Sequence, residues 1–318
     1  MPIEPARRVV VALGGNAISR PNEEGTVSQD LANLDASLAG VVGLVERGCS
    51  LVITHGNGPQ IGNQMIRVEM ARGHAPELPL DLMGADLQGG LGYMIERVLR
   101  SRFRRRGLST HTCCLLCMVE VRSDDPSAGN PTKFVGPVVD EGKVATCRAR
   151  GWVMKEDRGR GWRRVVPSPD PVAVVERDEV LALLERGAVV ITAGGGGIPV
   201  TRTPSGDLVG FEGVIDKDMA SAVLALAVGA PDLYILTEVQ CVMMDWGTPQ
   251  ARPLDHLTLA QARRLLAEGQ FPPGSMGPKI EAACRFLAAG GQRVLITDIY
   301  ALKAALAGRT GTWIVPDP

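Results

Sequence analysis

The sequence predicts an α/β protein built on an open, mainly parallel sheet with helices on both faces. Three observations predict it. Short apolar runs alternate with helix-patterned segments from one end of the chain to the other. The runs are nearly continuous Val, Ile and Leu, the composition of strands buried on both faces. Three of them end in glycine-rich turns, and the carboxyl ends of parallel strands share the edge where ligands bind. Glycine is also the compositional outlier, 38 of 318 residues, against about 7% on average.

Taken in order, residues 9–13 read as the first buried strand. Residues 31–46 place Leu31, Leu34, Leu38, Val41, Val42 and Val45 on one helical face, and Gly48 ends that helix. The next strand is 50–54. A helix over 91–102 precedes a strand over 113–121. A helix over 178–185, closed by Gly187, leads into a strand at 188–192. Then come a helix at 219–228, a strand at 233–237, helices at 259–268 and 278–289, and a strand at 293–297. Two regions break the alternation. Residues 124–171 are polar and rich in Gly and Pro, and also hold Trp152 and Trp162; they read as a small, strand-rich insertion standing off the main sheet. Residues 199–213 form a second polar loop, read as a hairpin around Ser205-Gly206-Asp207. No heptads or repeats are visible.

Composition narrows the function. Lys and Arg number 34 and Asp and Glu 35, without the basic excess of a nucleic-acid binder. The longest apolar stretch, residues 219–230, is short of the roughly 20 needed to span a membrane. Residues Met1-Pro2-Ile3-Glu4-Pro5 lack a signal-peptide pattern. The seven scattered cysteines fit reduced thiols, so a cytoplasmic location is expected. Cys114-Leu115-Leu116-Cys117 has no second pair at zinc spacing and reads as core thiols. The basic run 102–106 reads as a helix C-terminus.

The turns and lysines carry the chemistry. Leu13 runs into Gly14-Gly15-Asn16, Thr54 into His55-Gly56-Asn57-Gly58-Pro59-Gln60, and Thr192 into Ala193-Gly194-Gly195-Gly196-Gly197. Such loops let a backbone approach a ligand closely and bind anions through N–H groups. No P-loop motif is present. Gly56-Asn57-Gly58 with Gly62 is one residue off the dinucleotide fingerprint, so nicotinamide binding is an alternative. Lysines are few. Lys217, in Ile215-Asp216-Lys217-Asp218, and Lys279, in Gly274-Ser275-Met276-Gly277-Pro278-Lys279, each open a helix, the latter with Pro read at its first position. A cation there opposes the helix dipole, which makes sense if an anion lies between. Lys133 lies in the insertion. Asp216 reads as a helix cap, and His55 as a residue that orients its loop.

These segments resemble the amino acid kinase superfamily and, within it, the carbamate kinases. The likeness rests on Ala12-Leu13-Gly14-Gly15-Asn16-Ala17, the His55–Gln60 turn, Asp125-Pro126, Asn130-Pro131-Thr132-Lys133, Arg163-Arg164-Val165-Val166-Pro167-Ser168-Pro169, the 193–199 turn, and the Lys217 and Lys279 segments. It runs in family order from about residue 8 to 315. It implies a three-layer αβα sandwich with an open, mainly parallel eight-stranded sheet, plus a small protruding subdomain, in a homodimer. One kinase domain would cover 1–318. Its N-terminal lobe (1–200) would take carbamate or carbamoyl phosphate, and its C-terminal lobe (201–318) the nucleotide. Residues 124–171 would be the lid.

The reaction implied is ADP + carbamoyl phosphate ⇌ ATP + carbamate with Mg²⁺ held mainly by nucleotide phosphates, typically ATP-forming at the end of arginine deiminase catabolism. Lys133, Lys217 and Lys279 would be catalytic, with Asp218 as the carboxylate that orients lysines. The N–H groups of Gly14, Gly15, Gly56 and Gly58, with Asn16 and Asn57, would hold the substrate. Gly194, Gly195, Gly196, Lys217, Thr237, Val242, Met243, Met276 and Lys279 would contact the nucleotide. Two positions depart from the family: Phe134 stands where Pro is usual, and Met243 where Tyr is frequent. Alternatives are another acid-group kinase of the same fold, acetylglutamate-like or nucleoside-monophosphate-like, and a non-catalytic nucleotide-binding relative.

Overall fold

Every second residue of the first strand faces the opposite side of the sheet. Val9, Val11 and Leu13 enter one apolar core, and Val10 and Ala12 the other. Both are fully buried, which is why the run is continuously apolar. The computed structural model describes residues 7–20, 23–157 and 159–318; the reading of Met1–Pro5 lies outside them. The chain runs through β1 (Arg8–Leu13), α1 (Val27–Ser37), α2 (Ala39–Glu46), β2 (Ser50–His55), α3 (Gly58–Met70), α4 (Leu80–Arg105), β3 (Thr112–Cys114) and β4 (Met118–Val121). Next come β5 (Lys133–Val139), α5 (Glu141–Ala149), β6 (Val153–Asp157), β7 (Gly161–Val166), β8 (Pro171–Val174), α6 (Arg177–Glu185), β9 (Val189–Ile191), β10 (Ile198–Arg202) and β11 (Leu208–Gly210). The chain closes with α7 (Lys217–Ala227), β12 (Asp232–Thr237), β13 (Val242–Met244), β14 (Arg252–Leu254), β15 (His256–Thr258), α8 (Leu259–Ala267), α9 (Met276–Ala288), β16 (Arg293–Asp298), α10 (Leu302–Ala305) and β17 (Thr312–Val315).

Eight strands form the main sheet in the order β15-β17-β16-β12-β1-β2-β9-β3. Its pairs are parallel except β16 with β17. Helices α1, α2, α4 and α10 supply the core on one face, and α6, α7, α8 and α9 that on the other. The predicted three-layer sandwich is the fold observed. β1, β2 and β9 are neighbours, so their three glycine-rich ends do share one edge. The 199–213 hairpin is β10 with β11.

Several boundaries differ from the sequence reading. The helix read over 31–46 is two helices meeting at Leu38, and it starts earlier because Thr26 and Gln29 form a capping box. The helix read from residue 91 begins at Leu80; Gly84, Gly89 and Gly90 weaken the signal there, while burial of Leu80, Met83 and Gln88 holds it. The strand read over 113–121 is broken. Gln88 bonds both the N–H and the carbonyl of Cys117, each at 3.0 Å, and the same carbonyl also accepts the N–H of Ile198 at 2.9 Å, so at Cys117 the chain leaves β3's neighbour β9 for β10. β4 then joins β10 in a second sheet, β11-β10-β4-β8. Helix α9 begins at Met276, so Pro278 is its third residue, not its first. The insertion has its own sheet, β5-β7-β6, and also a helix that the sequence reading missed, α5. Val144, Cys147 and Met154 form a core of its own there. Cys117 is buried in the main core, and the basic run pairs with Asp35 and Glu46. Among the described residues no helix is long and apolar enough to cross a membrane.

At the opposite edge of the sheet, the side chain of Asp232 is 0% exposed and accepts from Arg7 (2.6 and 2.7 Å) and Arg293 (3.0 and 2.8 Å). This cluster fastens the starts of β1, β12 and β16. Asp232→Ala is expected to cost about 3 kcal/mol of stability in urea unfolding at neutral pH. Burial pushes the Asp232 carboxyl up, but the two guanidiniums outweigh it and hold it below its ordinary 3.8. The stabilisation is therefore complete above that value and fades as pH falls through the lower folded value. The deficit of the variant should shrink correspondingly in acid; a deficit that stays constant below pH 3.8 would count against this role.

Candidate active site

Lys217 is the first residue of α7 and Asp218 the second. Asp216 caps that helix, accepting the N–H of Asp218 at 2.9 Å through Oδ1. Its Oδ2 pairs with Lys133 Nζ at 2.9 Å. That pair was not read from the sequence, since the partners lie on different elements and nothing in the spacing brings them together. Asp218 sits between two lysines. One carboxylate oxygen takes Lys217 Nζ, and the other takes Lys279 Nζ at 3.2 Å. Ser221 of α7 bonds both Thr54 of β2 and the carbonyl of Lys217, each at 2.6 Å, so the helix start is pinned to the sheet edge.

Lys133, Lys217, Asp218 and Lys279 line one cleft of about 270 Å³ together with Gly15, Gly56, Asn57, Gly58 and Gly195. Their charges shape one another. Burial would raise Asp216, but Lys133 and Lys217 hold it down, to about 2. Burial lowers the Lys217 ammonium, opposed by Asp218. If a charged Lys217 is required, kcat/KM should fall on an alkaline limb below the ordinary lysine value of 10.5. Asp218→Asn removes an interaction that favours the ammonium, so the limb should move to lower pH. A limb unmoved in that variant would remove Lys217 from the titration.

The loops divide into groups that face the cleft and groups already engaged. Gly14 N–H donates to Leu236 O at 2.8 Å and Gly56 N–H to Leu13 O at 2.9 Å. Both N–H groups are thus engaged by backbone carbonyls, because the chain still follows the sheet ladder there. Among the described residues the N–H groups of Gly15 and Gly58 make no hydrogen bond, as expected for the first residues of helical turns. Gly56 still has a reason to lack a side chain, because a Cβ would stand 3.0 Å from Gly15 N and 3.2 Å from Lys217 Cδ. Asn16, in the turn Gly15–Ala17, is half-buried and is not a cleft wall.

The third loop is glycine for reasons of packing. A Cβ on Gly194 would enter the His55 ring, one on Gly195 the Asn57 amide, and one on Gly196 the Ile215 carbonyl. Gly196 N–H is also engaged, by Ala193 O at 3.2 Å. His55 is buried and meets the Gly56 carbonyl through Nδ1 at 3.0 Å. Burial pushes its pKa down to about 4, so it stays neutral.

Beside Lys279 a second cavity, about 250 Å³, is lined by Thr237, Met243, Trp246, Phe271 and Met276. Trp246 and Phe271 were missed in the sequence, where each is a lone aromatic in a turn-rich segment. Val242 does not reach this cavity. It is fully buried in the core, and its N–H goes to Thr312 Oγ1 at 2.8 Å. Alternation along β13 turns it away from its neighbour Met243. Phe134 lies under the guanidinium of Arg163, 5.5 Å from the ring centre, and both residues line the main cleft.

A cleft walled by lysines and free N–H groups, at the carboxyl edge of such a sheet, describes a class of phosphoryl-transfer proteins. The amino acid kinase family matches this chain over residues 7–298. A carbamate kinase from Pyrococcus furiosus is 41% identical over 98% of this chain and 99% of that protein. The carbamate kinase-like protein YahI of Escherichia coli K12 is 42% identical over 96% of this chain and 98% of that protein. Among solved structures, carbamate kinase from Giardia lamblia bound to AMP-PNP has a TM-score of 0.93 at 34% identity, covering 99% of this chain and 100% of that one. The chain belongs to the amino acid kinase family and is a phosphotransferase. Its resemblance to the carbamate kinases extends over nearly its whole length, as the order of the matching segments implies.

Proposed function

We propose that this chain is a carbamate kinase: it transfers a phosphoryl group reversibly between carbamoyl phosphate and ADP. The observation that carries the reading is the convergence of Lys133, Lys217 and Lys279 on one cleft, two of them bridged by Asp218. In the ATP-forming direction an oxygen of the ADP β-phosphate attacks phosphorus, and the bond from phosphorus to the carbamoyl oxygen breaks. The leaving group is the carbamate anion, which needs no proton; it later decomposes to ammonia and CO₂. No general base is needed, which accords with a buried, neutral His55.

Catalysis is then positioning and charge neutralisation. Gly15 and Gly58 N–H groups, with Asn57, hold carbamoyl phosphate. Lys133 reaches it from the lid, residues 124–171. Lys217 and Lys279 flank the moving phosphoryl, and Asp218 keeps both aimed. Gly194 and Gly195 meet nucleotide phosphates, and Thr237, Met243 and Met276 the base. Asp216 and Asp218 are engaged by lysines, and no metal-sized cluster of three acidic, His or Cys residues occurs among the described residues. This donor set fits a Mg²⁺ carried on the nucleotide phosphates, where it would neutralise oxygen charge. ATP formation in arginine deiminase-type catabolism, a cytoplasmic location and a homodimer complete the proposal.

The test compares donors and a lid variant. Carbamoyl phosphate is expected to support far faster ATP formation than acetyl phosphate. Lys133→Ala should raise the KM for carbamoyl phosphate at least about tenfold and leave the KM for ADP nearly unchanged. Equal loss of both substrates would overturn the lobe assignment, and indifference to the donor would overturn the substrate.

A further inference from the structure

The lid is tied to the body by a cluster outside the catalytic cleft. Side chains alternate along β7. Arg163 faces the cleft, whereas Arg164 lies over Trp152, 4.9 Å from the ring centre, and donates to Glu212 Oε1 at 2.8 Å. The Arg164 side chain is 15% exposed. The second oxygen of Glu212 accepts the N–H of Leu80 at 3.2 Å. Leu80 is the first residue of α4, and Pro79 before it supplies no side-chain cap. Glu212 thus serves as the missing acceptor at that helix start. It also stands in the loop that delivers Asp216 and Lys217. Two residues on, Val214 N–H bonds the lid residue Pro167 at 3.0 Å. One carboxylate therefore joins the lid, the longest helix and the loop before the catalytic lysine.

Two cavities, about 360 and 430 Å³, lie between the lid and the body and share Arg150, Trp152 and Arg164 as walls. Beside them Val135 and Val166 of the lid pack on Ile61 and Met65 of α3, and Arg150 pairs with Glu69, so the space admits only a small tilt about that contact. β5 and β7 are paired, with Val135 opposite Arg164 and Lys133 opposite Val166. A tilt of β7 is passed to Lys133 two residues along its partner strand. We propose that Arg164 and Glu212 are positioning residues, a pivot that sets the angle at which the lid presents Lys133 to the phosphoryl donor.

The kinetic readout rests on the carbamate kinase reading; a hydrogen-exchange readout does not. Arg164→Gln and Glu212→Gln remove the charge pairing, and the latter keeps an acceptor for Leu80 N–H. Each is expected to raise the KM for carbamoyl phosphate about fivefold, with the KM for ADP unchanged. The double variant should be no worse than either single one, and Arg164→Lys should recover most of the loss. Amide exchange in β5 and β7 should quicken in both single variants, while α4 beyond its first turn stays protected. Additive effects, equal rises in both KM values, or unchanged KM overturn the pivot. If the wild-type protein does not use carbamoyl phosphate, exchange alone decides: quickened exchange in β5 and β7 supports the pivot, and unchanged exchange overturns it.

Discussion

Lys217→Ala is expected to lower kcat and kcat/KM together by about a thousandfold. The side chain is 14% exposed and its ammonium is held by Asp218, itself 3% exposed. It stands at the positive end of α7, where a cation is unfavourable without compensation. Asp216 and Asp218 supply that compensation in the resting site, and the transferring phosphoryl adds to it as charge spreads over its oxygens. On the proposed role the interaction is strongest in the transition state, which would move kcat and not KM alone. Lys217→Arg should also remain impaired. Lys217 Cδ lies 3.2 Å from where a Cβ of Gly56 would be, so the wider guanidinium has little room. A rise in KM at unchanged kcat would mean that Lys217 merely binds substrate.

Gly196→Ala should be the most damaging glycine substitution in the edge loops, destabilising the fold by about 4 kcal/mol in urea unfolding. Gly196 has φ +97°, and its added methyl would come closer than 3.0 Å to the backbone carbonyl of Ile215. Ile215 is followed directly by Asp216 and Lys217, so the strain falls on the loop that aims them. Gly206→Ala is the matched control. Gly206 has φ +94° but open space around it, in the exposed hairpin, so about 1 kcal/mol is expected from the backbone alone. Equal losses in the two variants would show that the contact with Ile215 is unimportant.

Legibility followed the range of each signal. Strands β1, β2, β12 and β16 could be read because burial on both faces leaves unbroken apolar runs. The shared edge of the glycine turns followed from parallel order. The three lysines stood out because lysine is scarce, and the resemblance ordered them. What escaped were long-range substitutions of one hydrogen bond for another. Gln88 bonds the chain at the Cys117 break from a helix some thirty residues away. Leu236 and Leu13 take the N–H groups of Gly14 and Gly56, which look free in the sequence. The Asp216–Lys133 pair and the Glu212 junction each join segments far apart in the chain. The glycines at 194–196 were legible as a special turn, but their cause is contact with His55, Asn57 and Ile215.

On the proposed function, the lysine cleft moves a phosphoryl group from carbamoyl phosphate to ADP. The most direct measurement is the initial rate of ATP formation from ADP, Mg²⁺ and carbamoyl phosphate by the purified protein. The rate should be saturable in both substrates and well above the spontaneous breakdown of carbamoyl phosphate. ADP binding with no ATP formed above that background would contradict it.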